Sequence, residues 1–239
     1  MKVGLPKPLH GWREFAGEVG IIVLGVLIAL GAQQLAENVQ QRLEARDARA
    51  AVRGELEVNM ARLASRAAQK HCVERRMDEI QALLDGAAKN GSIVTPGWVG
   101  RPQYWSMQTV RWEAISQGGR AALLPADELA DYGTIYSWMR NINGMMTTEQ
   151  ADWARLRTLE HMSRLTPEMV FELNATLQDA RYSNWRIRRW MVQMEPTEAK
   201  LRLRNIPNPL PATLSACIPM TTPRNVALRF EGGRYGEEP

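Results

Sequence analysis

The sequence predicts an all-α protein: an N-terminal transmembrane helix that continues into a long helix and an antiparallel helical bundle. Three observations carry that prediction. Residues 19–32 form a fourteen-residue run without a charge. Behind them, apolar residues recur at three- and four-residue steps almost to residue 204. No stretch shows the apolar/polar alternation of a half-buried strand.

The charge-free run alone is about 21 Å of helix, short of the ~30 Å hydrocarbon core of a bilayer. Extended to residues 15–35 it reaches the needed length and takes in Glu18, Gln33 and Gln34 near its ends. Lys2, Lys7 and Arg13 precede it, and Trp12 stands where an interfacial aromatic belongs. Residues 1–14 are therefore expected in the cytoplasm and the following domain in the periplasm, although Arg42, Arg46 and Arg49 dilute the charge bias. A cleaved secretory signal is the competing reading, with Ala29, Gly31 and Ala32 as the small residues of a cleavage site. Against it stand Glu18 at the head of the run and a periodicity that passes Leu35 unbroken. Ala16 and Gly20 are four residues apart, as are Gly25 and Ala29, the spacing that lets membrane helices pack closely. Glycine is also simply common in such helices.

Gly17-Glu18 ahead of an apolar run closing on Ile28-Ala29-Leu30, with a long helix behind, resembles the N-terminal signature of uncharacterised bacterial single-pass membrane proteins. Glu55-Leu56 with Asn59, Cys72 followed by Arg75-Arg76-Met77-Asp78, Trp98 to Trp105, and Cys217 are similar to proteobacterial members as well. The resemblance implies an architecture and a bacterial envelope setting. It implies no activity, since those families have none assigned.

From Gln33 to about Ala88 no proline occurs, and Val52, Leu56, Met60, Leu63, Ala67, Val73, Met77, Ile80 and Leu84 trace a narrow, coiled-coil-like seam. One helix of roughly 80 Å is expected there. Gly91, Pro96, Gly97, Gly100 and Pro102 break residues 89–104. Helices are then expected over 106–117, ending at Gly118-Gly119; over 125–143; from a capping box at Thr147 and Gln150 through Met162; and from Thr166-Pro167 to about 204. The domain spans residues 36–204. Residues 205–239 read as a strap whose Pro207, Pro209, Pro211, Pro219 and Pro223 exclude helix, ending in a disordered tail of about ten residues.

Composition narrows the chemistry. The 239 residues carry a net charge of only +4, so no single electrostatic task governs the surface. Two cysteines rule out a disulfide scaffold, and three histidines leave little for a metal centre. In a periplasmic domain Cys72 and Cys217 would oxidise to a disulfide pinning the strap; the alternative is two buried thiols acting as small hydrophobes. No nucleophile elbow, zinc-protease motif or phosphate-cradling loop occurs, so no catalytic, metal or cofactor residue is expected. The carboxylates of Glu55, Glu57, Asp127 and Glu128 read as solvated surface.

Two regions could bind a partner. Trp98, Arg101, Tyr104, Trp105 and Trp112 sit in and after the glycine/proline loop, where they either recognise a ligand or cap the bundle. Arg181, Trp185, Arg188, Arg189 and Trp190 lie in a basic stretch over 181–204 that suits phosphate-rich partners, unless its arginines simply flank a core face. The sequence thus points to a non-enzymatic, single-pass inner-membrane protein. Its expected partners are the bilayer through residues 15–35 and either its own copies or an envelope protein, with nucleic acid disfavoured. The alternatives are a ligand sensor built on the aromatic loop, and a cytoplasm-facing Arg/Trp helix that binds nucleic acid or anionic lipid.

Overall fold

A computed structural model describes residues 11–204, 206 and 215–231, and among them the chain is all-α. The helices are α1 (Trp12–Ala68), α2 (Lys70–Asn90), α3 (Val110–Gln117), α4 (Ala126–Leu156), α5 (Pro167–Leu201) and α6 (Arg224–Glu231), with short 3-10 turns at Arg120–Leu123, Arg157–His161 and Ser215–Cys217.

The expected long helix is two helices, divided at Gln69 and ending at Asn90. The cause is local. The Gln69 side-chain amide donates to the Ser65 carbonyl at 3.2 Å, the acceptor its own backbone N–H would use in an unbroken helix. That N–H turns instead to Arg66 O at 3.3 Å. Along the seam Val52, Leu56, Leu63, Val73, Met77, Ile80 and Leu84 are buried as expected and Met60 is half-buried, but Ala67 is exposed, on the outer side of α1.

Residues 92–109 carry no helix, so the helix expected from 106 begins only at Val110. Asparagine side chains substitute for a neighbouring strand. Asn59 accepts from Gln108 N and donates to Gln108 O, at 2.8 and 2.7 Å, and Asn143 does the same for Met107 at 2.8 and 3.0 Å. Buried Glu55 then caps α3 from a distance, accepting from Arg111 N at 2.8 Å and Trp112 N at 3.3 Å. Glu57 is buried too, against the side chain and backbone N–H of Arg204. Both carboxylates were expected at the surface; long-range partners hold them inside. Asp127 is exposed as expected, and half-buried Glu128 pairs with Arg49 at 2.7 Å.

The two helices expected over 125–162 are one, α4, ending at Leu156. Thr147 caps nothing: its hydroxyl donates to Asn143 O at 3.0 Å, within the helix. Thr166 and Pro167 open α5 as expected, with Thr166 Oγ1 accepting from Met169 N at 3.3 Å. In the tail, α6 corrects the expectation that proline excludes helix, because Pro223 directly precedes its first residue and leaves the interior free. Residues 1–10, Pro207, Pro209 and Pro211 of the strap, and residues 232–239 of the expected disordered tail lie outside the described residues.

α1 and α4 run in the same direction, since Arg49 meets Glu128 and Arg66 meets Glu149. α5 is antiparallel to α1, where Arg53 donates to Leu201 O and Arg66 to Asn184, and hence to α4; it is antiparallel to α2 as well, where Gln81 donates to Asn174. The core has two parts. The near one gathers Val52, Leu56, Tyr136, Met139, Ile142 and Ile187; the far one gathers Val73, Ile80, Leu84, Trp153, Leu173 and Leu177. α1 enters the bundle at Ala48.

Candidate functional site

Below the bundle α1 stands free. It holds an 18-residue window of mean hydropathy 2.3, none of it buried, and is the one helix among the described residues long and apolar enough to cross a membrane. Ile21, Ile22, Leu24, Leu27 and Ile28 are all more than half exposed. A helix of this kind in a water-soluble core would hide that surface. An N-terminal signal sequence has the same composition. A Cβ placed on Gly20 or Gly25 would meet no atom within 4 Å. At about 100° per residue, Ala16 and Gly20 share one face and Gly25 and Ala29 the opposite one, so the four do not form a single packing surface.

At the far end the tail is clamped onto α2. Cys72 and Cys217 are bonded, with S–S 2.04 Å and Cα–Cα 4.8 Å. One turn along α2, fully buried Arg76 donates to the carbonyls of Trp98, Val99 and Ile218 and pairs with Glu79 at 2.8 Å. Burial pushes its guanidinium pKa down, and Glu79 opposes that. Trp98 is fully buried, donates its indole N–H to Ser215 O at 3.0 Å, and lies under the Arg157 guanidinium at 5.0 Å. Buried Glu160 accepts from Val99 N at 2.9 Å and from Arg224 at 2.6 Å. Gly97 and Gly100 let the loop touch the tail: a Cβ on either would collide with a carbonyl, of Thr222 or Ser215.

This clamp corrects the aromatic-loop expectation. Trp98 is a structural anchor rather than a recognition surface. Trp112 is half-buried and stacks on Tyr136 at 5.2 Å, and half-buried Trp105 packs against the near core. Only Arg101 and Tyr104 of the five are exposed. In the sequence Arg76 stands out only within the Arg75-Arg76-Met77-Asp78 run that follows Cys72, which gives it no role.

The basic stretch of α5 divides in the same way. Arg181 reaches Asp78 at 2.9 Å, Arg188 pairs with Glu74, and Arg186 lies 4.8 Å over the ring of Trp190. Trp190 is buried, and its place on a binding surface is corrected accordingly. Trp185, Arg189 and Val192 stay exposed and, with Ala67, Arg188 and Met191, line an open cleft of about 330 Å³. Acids of α2 thus neutralise part of a charge that looked continuous in sequence.

Between the two core regions lies a buried polar layer of Ser65, Arg66, Gln69, Glu149, Asp152, Ser183 and Asn184. Arg66 donates to Glu149 at 2.6 Å and to Asn184 at 2.9 Å. Burial pushes the Glu149 carboxyl above the ordinary range, against the pull of Arg66, and burial with the charge of Asp179 raises Asp152. Asp152 Oδ2 and Arg66 Nε have no hydrogen-bond partner. Among the described residues no three His, Cys, Asp or Glu side chains gather as a metal site.

Comparison of the chain with protein families, curated proteins and solved structures finds no match.

Proposed function

We propose that this chain is a bacterial inner-membrane protein anchored by residues 15–35, which works without catalysis, by self-association or as an accessory subunit of an envelope complex. The observation that carries the reading is the apolar, wholly unburied first part of α1, continuous with a second part whose Val52, Leu56 and Leu63 lie in the bundle core. A free helix of that composition in water would expose a patch far larger than soluble proteins leave uncovered. The bond between Cys72 and Cys217 supports a domain on the oxidising, periplasmic side, with the N-terminus in the cytoplasm. The engagement of Arg181 and Arg188 with α2 carboxylates disfavours nucleic acid as the partner.

The test is chemical crosslinking in intact membranes, followed by detergent extraction and sizing. The reading expects crosslinked species above the monomer, containing either this chain alone or an envelope protein. A strictly monomeric extract with no crosslinked partner would overturn it.

A further inference from the structure

We infer that a second copy of this chain packs in parallel against α1 through the seam Ala36, Val39 and Leu43, between the membrane segment and the bundle. The inference rests on the anchored reading above. Its starting point is that the apolar face of α1 changes sides. From Ala48 upward, Val52, Leu56 and Leu63 face the bundle core. At about 100° per residue, Ala36, Val39 and Leu43 lie roughly half a turn away from them. Val39 and Leu43 are 57% and 54% exposed. Gln34, Asn38 and Gln41 fill the opposite side of the same segment, and the bonds from Gln33 to Glu37 and from Gln40 to Glu44 run along one flank. The segment is therefore amphipathic, and its apolar side is turned away from the bundle.

The spacing identifies the occupant. Gly25, Ala29, Ala32, Ala36, Val39 and Leu43 step by four, three, four, three and four, the a/d repeat of a two-helix coil, and all are exposed. The repeat closes at Arg46, the next seam position. In this register exposed Arg42 takes a g position and exposed Asp47 the following e position. In a parallel pair those two positions meet across the interface, giving two oppositely charged contacts by symmetry. Anchoring in one bilayer enforces the parallel orientation. Because the seam faces away from each core, the two bundles sit on the outer sides of the central helices without collision. Val39, Leu43 and the Arg42/Asp47 complementarity carry the inference; the small residues below them continue the register into the membrane.

The experiment uses the full chain, with its native disulfide, in isolated membranes. Single cysteines replace Ala36, Val39, Leu43, Asn38 or Gln41, and oxidative crosslinking is read on non-reducing gels. Ala36→Cys, Val39→Cys and Leu43→Cys are expected to give dimers, and Asn38→Cys and Gln41→Cys, on the opposite face, only background. In the Val39→Cys chain, Arg42→Asp should lower dimer yield several-fold, and adding Asp47→Arg should restore it. Equal yields at all five positions, or none at any, would overturn the inference. Carbonate extraction of the same membranes separates the two failures: a retained chain without crosslinks sinks only the pairing, whereas a released chain sinks the anchor as well.

Discussion

Cys72 and Arg76 stand one helical turn apart on α2 and hold neighbouring residues of the same tail, Cys72 through its bond to Cys217 and Arg76 through the carbonyl of Ile218. The same Arg76 also binds Trp98 O and Val99 O, so loop, tail and helix meet at one buried cation.

Removing the covalent half should loosen the tail without unfolding the bundle. Cys72→Ala with Cys217→Ala, or reductant on the native chain, is expected to lower stability by about 3 kcal/mol, given a 145-residue separation. Denaturant unfolding with and without reductant measures it, and limited proteolysis should then cut near residues 215–223 first.

Removing the cationic half should cost more. Arg76→Met leaves three buried carbonyls without their donor and leaves Glu79 with only the longer pairing to Arg75, with an expected loss of about 3–5 kcal/mol. Arg76→Lys should rescue only part of it, since one ammonium cannot reproduce the planar fork that spans loop and tail. Equilibrium unfolding of both variants provides the comparison.

Asp152 gives a pH dependence of definite sign. Its native carboxyl is raised above the ordinary 3.8, so the native state holds that proton more tightly than the unfolded chain. The contribution favours the fold below the ordinary value and is lost as pH climbs through the raised native value. Stability of the native chain relative to Asp152→Asn should therefore fall as pH rises from about 4 toward neutrality. Unfolding curves of the two chains across that window test it. Glu57 and Glu128, held low by Arg204 and Arg49, act in the opposite direction in both chains and cancel in the difference.

Trp185 and Trp190 lie on one helix and should part company under substitution. Trp190 is buried against Trp138, so Trp190→Ala is expected to cost about 3 kcal/mol. Trp185 is exposed beside Tyr182, and Trp185→Ala should change stability by only about 0.5 kcal/mol. If the cleft beside it serves a partner, the Trp185 variant loses crosslinking to that partner while remaining folded.

What the sequence made legible follows from the range of the forces involved. Val52, Leu56, Val73 and Ile80 declare a buried helix face by spacing alone, and Thr166-Pro167 declares a helix start through bonds that close within three residues. Glu55 and Glu57 misread as surface because their partners, the α3 amides and Arg204, lie 56 and 147 residues away. The same distance hides why 92–109 is not helical: its backbone partners include Asn59, Arg76, Asn143 and Glu160, and nothing in the segment names them. Gln69 divides a helix through a side-chain substitution that no propensity encodes. Trp98 looked like a recognition residue because glycine and proline surround it. Those residues serve instead to bring the tail's carbonyls close.

The central claim is that residues 15–35 sit in a bilayer as an uncleaved anchor. Alkaline carbonate extraction of membranes from cells making the native chain, with N-terminal sequencing of the product, tests it directly. The account predicts a chain that stays in the membrane pellet and still carries residues 15–35. A chain released to the supernatant, or one whose sequence begins after Ala32, would contradict it.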